Sequence, residues 1–515
     1  MIIYKNPNQL KIEAFKTPFE MKMDPNNRWV LLSELIPWEQ LIGKYENQMS
    51  DFGRPAIETR RAIGAMIIKV MLVLSDEETV EQIRENPYMQ YFLGYEDYSS
   101  EAVFDPSLFV SIRDRLGAEV VSQMNYELLK KRQDNKKGKD NEKGKKNKVG
   151  SAEKGKEENQ KAKEIPDEKR KEVVEEKANE EKPKGTLLVD ATIADQYIKY
   201  PNDVELLQDS REKSEEMIDF LYGQKRQDKK PRTYRRNARK DYLNFAKKKN
   251  RTQKEIRRSE RKQLQYLGRN LKTIDRMLDE KGRIPFRKVM YKEYMVIQEL
   301  YRQQKQMYIE KSHQCSDRIV SINQPHVRPM VRGKQGKKVE FGSKILIGIV
   351  EGYYGTINKL SWDAYNEGGY VIESVEEYKN QFGYYPEVVI GDRIFNTREN
   401  KKQLESRGIR LSGKSLGRKT EEKKAKEVKQ MKKDQRLRVR VEGKFGQAKN
   451  GYGLNRIRMR KVSTSESVIA FTFFVMNLIR YTKEVIFWPF REIGKIIQYL
   501  SDILISPYIQ SVKYI

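Results

Sequence analysis

Two short apolar runs, about 200 residues apart, each end in an aspartate, and they constrain the fold more than any other feature of this chain. The runs are Leu187–Asp190 and Val388–Asp392, and their branched aliphatic residues favour buried β-strands. In open α/β sheets, ligands bind beyond the carboxyl ends of the strands, so we expect Asp190 and Asp392 to meet there. Such a pair of carboxylates suits a hard, oxygen-seeking cation such as Mg²⁺.

A third acid, Glu442, stands in a basic segment with helical spacing. The stripe at intervals of four, three and four residues consists of Arg438, Glu442, Phe445 and Lys449. Residues at these intervals share one helical face. If a scissile phosphate lies across this face, Lys449 is expected to hold its oxygens, and Arg438 to contact a neighbouring phosphate or to steady Glu442. The alternatives are an ordinary salt-bridged surface helix and, for each aspartate, a turn or N-cap role.

The three acids predict a metal-dependent phosphodiester chemistry. In two-metal sites, ions roughly 3.5–4 Å apart activate water or a 3′-hydroxyl and stabilise the leaving oxygen. We therefore expect two Mg²⁺ ions, with Mn²⁺ as a substitute, held by Asp190, Asp392 and Glu442. No histidine base is needed, which suits a chain with two histidines, neither beside these acids in sequence. These histidines and the single cysteine are too sparse for a convincing zinc site.

The charge balance indicates a polyanionic partner. The chain of 515 residues has 103 Lys and Arg against 74 Asp and Glu, a formal net charge of +29. Double-stranded DNA fits this excess, because released counterions make such binding strong and salt-sensitive. A membrane is not expected as a partner, since we find no apolar stretch of the roughly 20 residues that a spanning helix needs. The run Val468–Ile479 is instead expected to be a buried helix.

The cellular compartment is predicted from two weaker signals. Cys315 is the only cysteine, so an intramolecular disulfide framework is excluded. No cleavable signal is visible in Met1–Leu10, where polar residues and a proline interrupt any apolar core. A reducing cytoplasm is therefore the expected compartment.

Composition and periodicity divide the chain into four predicted parts. Residues 130–184 are nearly all Lys, Glu, Asn, Asp and Gly, which predicts a charged flexible linker. The other parts are a helical N-terminal DNA-binding domain at 1–129, a catalytic domain at 185–480 and a C-terminal helical tail at 481–515. A helical insertion is expected at about 205–320, where apolar residues repeat at alternating three and four.

Basic residues outside the acid-bearing segments are candidates for DNA contact. Arg113 and Arg115 belong to a predicted helix of the N-terminal part, Ser107–Leu116, where exposed side chains would suit a helix-turn-helix-like reader. Arg328 and Arg332 belong to a basic strip before the later strands. The alternatives are a helical packing domain with solvated arginines and a solvated loop.

The order of the elements predicts the fold class. With the insertion set aside, the order from residue 186 is strand, two strands as a hairpin, helix, strand, helix, strand, helix. This is an α/β topology of the RNase H-like kind, with a mixed sheet flanked by helices. The helical insertion follows the first strand, and a separate all-α domain precedes the sheet.

Several segments together resemble bacterial insertion-sequence DDE transposases, specifically the insertion-sequence-five family and its relatives. Val441–Gly446, with Arg438 before it and Lys449 after it, is similar to the family's tyrosine-arginine-glutamate-lysine signature, although Gln435 stands in place of the tyrosine. The supporting segments are Asp190–Thr192, Tyr200–Asp203, Leu206–Leu207, Gly391–Arg393, Asn400, Gly408–Ile409, Leu416–Arg418, Gly53–Pro55, Leu74–Glu78 and Phe92–Gly94.

The resemblance implies more than the residues show by themselves. It implies that Asp190, Asp392 and Glu442 are catalytic, and that the protein cuts at inverted-repeat element ends and joins the 3′-hydroxyl to target DNA. It also implies a homodimer or a larger synaptic assembly. Charge and periodicity alone predict only a metal-dependent nuclease that binds DNA. A nuclease without strand transfer and a non-catalytic basic DNA-binding protein therefore remain as alternatives.

Overall fold

The computed structural model describes most of the chain outside the predicted linker. The described residues are 11, 14–17, 21–49, 56–149, 182–224, 229–331, 339–413 and 421–511. Gly53–Pro55, Arg332 and Leu416–Arg418 lie outside them, as do residues 150–181 of the predicted linker.

The N-terminal region is all helical, as predicted. Capping side chains start its helices: the Asn27 side chain accepts a hydrogen bond from Trp29 N–H, and Ser75 from Glu78 N–H. Pro87 stands in the first turn of its helix, where its missing N–H costs nothing. The helices are α1 Arg28–Leu35, α2 Trp38–Glu46, α3 Thr59–Leu72, α4 Asp76–Glu85, α5 Pro87–Phe92, α6 Leu108–Leu116 and α7 Ala118–Val149.

These helices share one apolar core with the last helix of the chain, α15 (Val462–Ser511). Trp29 and Phe92 belong to the same buried cluster as Phe471 and Phe474. The helical region therefore packs onto the rest of the protein and is not isolated from it. No change of secondary structure marks residue 129, inside α7, or residue 480, inside α15, so these predicted boundaries remain predictions.

One segment of α15 corrects an expectation about membranes. Val462–Ile486 is long and apolar enough to cross a membrane by composition alone, and its 18-residue window reaches a mean hydropathy of 1.5. The expectation that no segment reaches this length is therefore wrong. However, 72% of that window is buried inside the protein, as expected for the run Val468–Ile479. The core that α15 forms with the N-terminal helices accounts for its apolar character.

The predicted helical insertion follows the first strand, β1 (Thr186–Asp195), and has a core of its own. Its helices are α8 Asp203–Gln224, α9 Arg235–Ala246, α10 Gln253–Lys281 and α11 Lys288–Glu310. The seam residues Leu267 and Ile274 are fully buried, and Gly282, at φ 62°, ends α10 before the antiparallel α11. The apolar repeat predicted for the insertion is therefore the buried seam of a helical hairpin formed by α10 and α11.

The sheet is mixed, with β1 near its centre. The remaining strands are β2 Arg328–Val331, β3 Val339–Val350, β4 Tyr354–Ser361, β5 Val388–Ile390 and β6 Arg410–Leu411. On one side β1 pairs antiparallel with β3, which pairs antiparallel with both β2 and β4. On the other side β5 and then β6 continue the sheet in parallel. This arrangement agrees with the predicted RNase H-like fold class.

Two layers of helices cover the sheet. The helices that complete this part are α12 Val371–Phe382, α13 Arg398–Glu405 and α14 Glu421–Gly451. One face of the sheet packs on α14 and α15 through an apolar cluster that includes Val441 and Phe473. The other face packs on α12 and α13 through a cluster that includes Val375 and Leu404. The face under α14 is the one that positions the candidate site.

Candidate active site

The register of β1 and β5 brings the two aspartates side by side. These parallel strands pair Leu188 with Ile390, so Asp190 and Asp392 each lie two residues further along. The prediction that Asp190 ends its strand is wrong, because β1 continues to Asp195 with β3 as its partner. Asp392 does follow the end of β5, where it begins a 3-10 turn and its carboxylate accepts a hydrogen bond from Arg393 N–H. Asp392 thus has the N-cap geometry that the sequence left open as the alternative to a role in metal binding.

Helix α14 brings the third acid to the same edge. Its buried residues Val441 and Ala448 face the sheet, which leaves the Glu442 side chain 65% exposed on the neighbouring face. Arg438, one turn earlier, connects the acids. Its Nη1 donates to Asp392 Oδ1 at 3.0 Å, and its Nη2 lies 3.8 Å from Glu442 Oε1. The structure therefore brings Asp190, Asp392, Arg438 and Glu442 to one edge of the sheet.

Asp190 is the acid with a perturbed ionisation. Burial raises the pKa of Asp190 above its ordinary value, and the charges of Asp392 and Glu367 add to this rise. The Ala191 N–H, which donates to Asp190 Oδ1 at 2.8 Å, and the Arg438 guanidinium act in the opposite direction. A half-buried carboxylate with two acidic neighbours is stabilised in its charged form by any cation that reaches it.

A cavity of about 600 Å³ adjoins Asp392. Gln435, which stands where the family signature has its tyrosine, lines it together with Asn396 and Arg438. Two buried atoms of these lining residues, Asn396 Oδ1 and Arg438 Nε, have no hydrogen-bond partner. Unpaired buried polar atoms are uncommon in folded proteins, so these two mark the wall of the cavity as a candidate binding region.

The three acids offer the oxygen ligands that Mg²⁺ prefers, but their carboxylates are not close enough together to coordinate one ion in this conformation. Carboxylate oxygens are the donors that hard divalent cations prefer. In the described part of the chain, no group of three or more His, Cys, Asp or Glu side chains is close enough to hold a metal ion. Instead, the Arg438 guanidinium contacts Asp392 and approaches Glu442, so a positive charge already lies between two of the acids. The site fits a cation in charge and donor type.

Lys449 lies seven residues beyond Glu442 on α14 and is engaged elsewhere. Its Nζ is 3.7 Å from Asp195 Oδ2 and 3.5 Å from Glu340 Oε1, and all three side chains are largely buried. This arrangement fixes α14 to the far end of β1 and to β3. The phosphate contact predicted for Lys449 stays a prediction, and it requires the ammonium to leave these carboxylates.

Glu367 was missed by the sequence interpretation. It lies in a 3-10 turn before α12, and its Oε1 is 2.7 Å from the Nζ of Lys344 on β3. Its charge acts on Asp190, so it is a fourth acid near the site. The sequence signal is weak, because Asn366, which caps this turn, is an ordinary turn residue.

The two arginines of α6 occupy different environments. Arg113 is buried, and its guanidinium makes a bidentate contact with Asp76 of α4 at 2.8 and 3.0 Å. The prediction that Arg113 is exposed is therefore wrong, because the charge is needed inside the helical packing. Arg115 is exposed, as expected, and lies near the hydroxyl of Tyr45. Of the two, only Arg115 is placed where it can reach DNA.

Replacing Arg113 with Gln is expected to lower stability without a specific loss of DNA affinity. The substitution leaves the Asp76 carboxylate with Lys69, 2.9 Å away, as its remaining ion-pair partner. Breaking a buried pair costs about 3–5 kcal/mol, and the second partner should reduce this to about 1–3 kcal/mol. Urea unfolding measures the loss. Arg115→Gln is the matched control, and an equal loss in both variants would contradict this assignment.

Arg328 is also less free than predicted. It begins the short edge strand β2, its Nη1 donates to the Pro325 carbonyl, and its Nε lies 3.6 Å from Asp363 Oδ1. Its side chain is 21% exposed. DNA contact by Arg328 therefore stays a prediction, and Arg332 falls outside the described residues.

Comparisons with known proteins agree with this geometry. Residues 389–479 match the family described as "Transposase DDE domain", a range that includes Asp392 and Glu442. Residues 17–115 match the family described as "Transposase domain (DUF772)", which covers the N-terminal helices up to α6.

The chain is also similar to one curated protein over part of its length. The chain is 33% identical over 118 residues to "Uncharacterized protein ORF8 in nfe locus" of Rhizobium meliloti. The aligned region covers 23% of this chain and 57% of that protein, so the chain spans a little over half the length of the relative it matches. No solved structure matches the chain. The resemblance predicted from the motifs is thus confirmed: residues 17–115 and 389–479 are similar to transposase domains, which is consistent with an insertion-sequence DDE transposase.

Proposed function

We propose that this protein binds the inverted-repeat ends of an insertion sequence and catalyses Mg²⁺-dependent cleavage and strand transfer of DNA. The observation that carries the proposal is the convergence of Asp190, Asp392 and Glu442 at one sheet edge, with Arg438 between two of them. The formal net charge of +29 supports double-stranded DNA as the partner. A homodimer within a synaptic complex, in the bacterial cytoplasm at the nucleoid, belongs to the same proposal.

The chain's own residues have distinct parts in this chemistry. Asp190, Asp392 and Glu442 would hold two Mg²⁺ ions, with Mn²⁺ as a substitute. When bound, these ions activate water or a 3′-hydroxyl and stabilise the leaving oxygen. The Arg393 N–H orients the Asp392 carboxylate, and the Ala191 N–H orients that of Asp190. Both carboxylates are thus aimed by backbone groups before any cation arrives.

Arg438 is the residue whose contact must change. Its guanidinium now neutralises Asp392, so cation binding there competes with this ion pair. Once displaced, a planar guanidinium is suited to bidentate contact with a phosphate. We propose that Arg438 then binds the DNA backbone beside the acids. The unpartnered Arg438 Nε supplies a further donor for that contact.

The test is a cleavage and joining assay on the DNA that flanks this gene, with Mg²⁺ or Mn²⁺. Glu442→Gln is expected to bind this DNA normally and to lose cleavage by about 1000-fold or more, the cost of several kcal/mol of metal-assisted catalysis. Glu422→Gln, at an exposed position of the same helix, is the matched control and should cut like the wild type.

The outcomes separate the proposed activity from its two alternatives. Cleavage at the element boundary followed by joining supports the transposase. Cleavage without joining, even when pre-cut ends are supplied, indicates a nuclease without strand transfer. If the wild type binds the DNA but never cuts it, a non-catalytic DNA-binding protein is the better account.

A further inference from the structure

The connection between α14 and α15 carries arginines at every second position. Arg456, Arg458 and Arg460 are exposed, whereas Ile457 between them is buried and Met459 is half-buried. We call these three arginines the arginine ridge. In an extended chain, alternate side chains point the same way, roughly 6.5 Å apart. The ridge therefore presents a row of separate positive charges to solvent.

The backbone under the arginine ridge is fixed to the end of β1. Ile457 N–H donates to the Asp195 carbonyl at 2.9 Å, and Tyr197 N–H donates to the Ile457 carbonyl at 2.8 Å. The Gln196 side chain adds a hydrogen bond from Nε2 to the Met459 carbonyl at 2.8 Å. This segment is thus a preformed edge beside the sheet, and little conformational entropy is lost when a ligand binds it.

The arginine ridge is not neutralised by the protein. Within the described ranges, none of its three guanidinium groups forms a salt bridge with a carboxylate; Arg456 instead lies 4.3 Å from the ring centre of Tyr197. The next residue, Lys461, differs, because its Nζ binds Asp114 Oδ2 of α6 at 2.8 Å. That pair ties the end of the ridge to the N-terminal helices. The ridge therefore bridges the helical region and the sheet with its own charges free.

The distance from the candidate active site suits a bound duplex. Five residues of β1 separate Asp190 from Asp195, against which the ridge is hydrogen-bonded. At about 3.3 Å per residue this is roughly 16 Å. DNA rises about 3.4 Å per base pair, so the same length corresponds to about five base pairs. A duplex that runs along β1 with its scissile phosphate at the acids would therefore pass the ridge within half a helical turn.

We propose that the arginine ridge binds the phosphate backbone of double-stranded DNA about five base pairs from the scissile phosphate. The inference rests on the proposed function, because it takes the acids as the point of cleavage. The alternative occupant is an acidic protein segment in the groove of about 630 Å³ beside the ridge. The α8 wall of this groove carries Glu205, Asp209, Glu212 and Glu216, and Lys199, within 4.0 Å of Glu205 and Asp209, partly neutralises those two, so an acidic segment in the groove would meet like charges. The free charges of the ridge favour a polyanion over an acidic protein segment.

The test measures the salt dependence of DNA affinity in the full-length protein without metal. The probes are the duplex flanking this gene and an unrelated duplex. The triple variant R456Q/R458Q/R460Q is expected to bind both about 10- to 100-fold more weakly at 0.1 M salt, and the slope of log K against log salt should fall by about 2–3. The triple Lys variant at the same positions should retain most of the slope, because it keeps the charges.

The matched control is Lys288→Gln with Lys292→Gln and Lys305→Gln, which removes the same charge from exposed positions of α11. An equal loss in this control would overturn the proposal, since net charge alone would then explain the effect. Unchanged DNA affinity and an unchanged salt slope in the ridge variant would also overturn the proposal. If the variant binds DNA normally but changes its oligomeric state, the ridge contacts a second copy of this chain instead of DNA. If the ridge variant binds DNA more weakly but the wild type does not cleave DNA in the cleavage assay, DNA binding by the ridge is supported and the proposed catalytic function is wrong.

Discussion

Replacing Asp190 with Asn is expected to abolish DNA cleavage and, at the same time, to raise the melting temperature of the protein at neutral pH. Burial and the charges of Asp392 and Glu367 raise the pKa of Asp190, so the folded protein binds its proton more tightly than the unfolded chain does. The stability that this proton contributes is complete below the ordinary pKa of 3.8 and is lost as pH rises through the higher folded-state value. At neutral pH the charged carboxylate is therefore a cost, which Asn removes.

Thermal melting at acidic and neutral pH tests this expectation. At pH 7 the gain from Asp190→Asn should be about 1 °C for each kcal/mol of relieved repulsion in a chain of this length, and it should shrink as the pH falls towards 4. Mg²⁺ should raise the melting temperature of the wild type more than that of the variant. Asp363→Asn, at an exposed carboxylate, is the control. A variant that melts lower than the wild type at pH 7 would show that Asp190 stabilises the fold instead.

Replacing Asn477 with Ala is expected to produce the largest loss of stability. The Asn477 side chain on α15 accepts hydrogen bonds from Gly355 N–H and Lys444 Nζ, and donates to the Gly355 carbonyl and to Asn125 Oδ1. All of these groups are buried. Burial lowers the pKa of Lys444 to about 8, which shows how costly its charge is there. Removing the amide takes their partner from the Gly355 N–H and from Asn125 Oδ1, whereas the Gly355 carbonyl keeps Asn125 Nδ2 as a donor. We expect a loss of about 3–5 kcal/mol, or a melting temperature lower by about 3–5 °C in a chain of this length.

A double-mutant cycle identifies the cause of that loss. Lys444→Met removes the buried ammonium, so adding it to Asn477→Ala should cost less than it does in the wild type. In the Asn477→Ala background Lys444 keeps its hydrogen bond to the Tyr353 carbonyl, so the effect of Lys444→Met in that background excludes the contact with Asn477. Strictly additive effects on the free energy of unfolding would contradict a shared network. The network matters for the site because Lys444 lies two residues from Glu442 on α14.

Elements set by local sequence were predicted well. The apolar seam of α10 and the positive φ of Gly282 follow from residues within a few positions of each other. The hairpin between β3 and β4 turns through Glu351 and Gly352, with φ values of 51° and 73°. Such turns favour a glycine, which the sequence shows directly. The fold class followed from the order of these elements.

Features that depend on distant partners were not predictable in the same way. Asp190 was taken as a strand end because nothing beside it shows that β3, more than 140 residues later, extends β1 to Asp195. Arg113 was expected to be exposed because its partner Asp76 belongs to a different helix. The edge strand β2 was missed because Pro329 suggests a loop, although proline is tolerated at sheet edges.

The shared core of the N-terminal helices and α15 has a consequence for synthesis. Trp29 cannot complete its packing until Leu478 has been made, 449 residues later. At 5–20 residues per second, the ribosome takes roughly half a minute to a minute and a half to cover that distance. During this time the first helices expose apolar surface that is open to chaperones, proteases and aggregation. A nascent chain released early would lack α15 and would keep that apolar surface exposed.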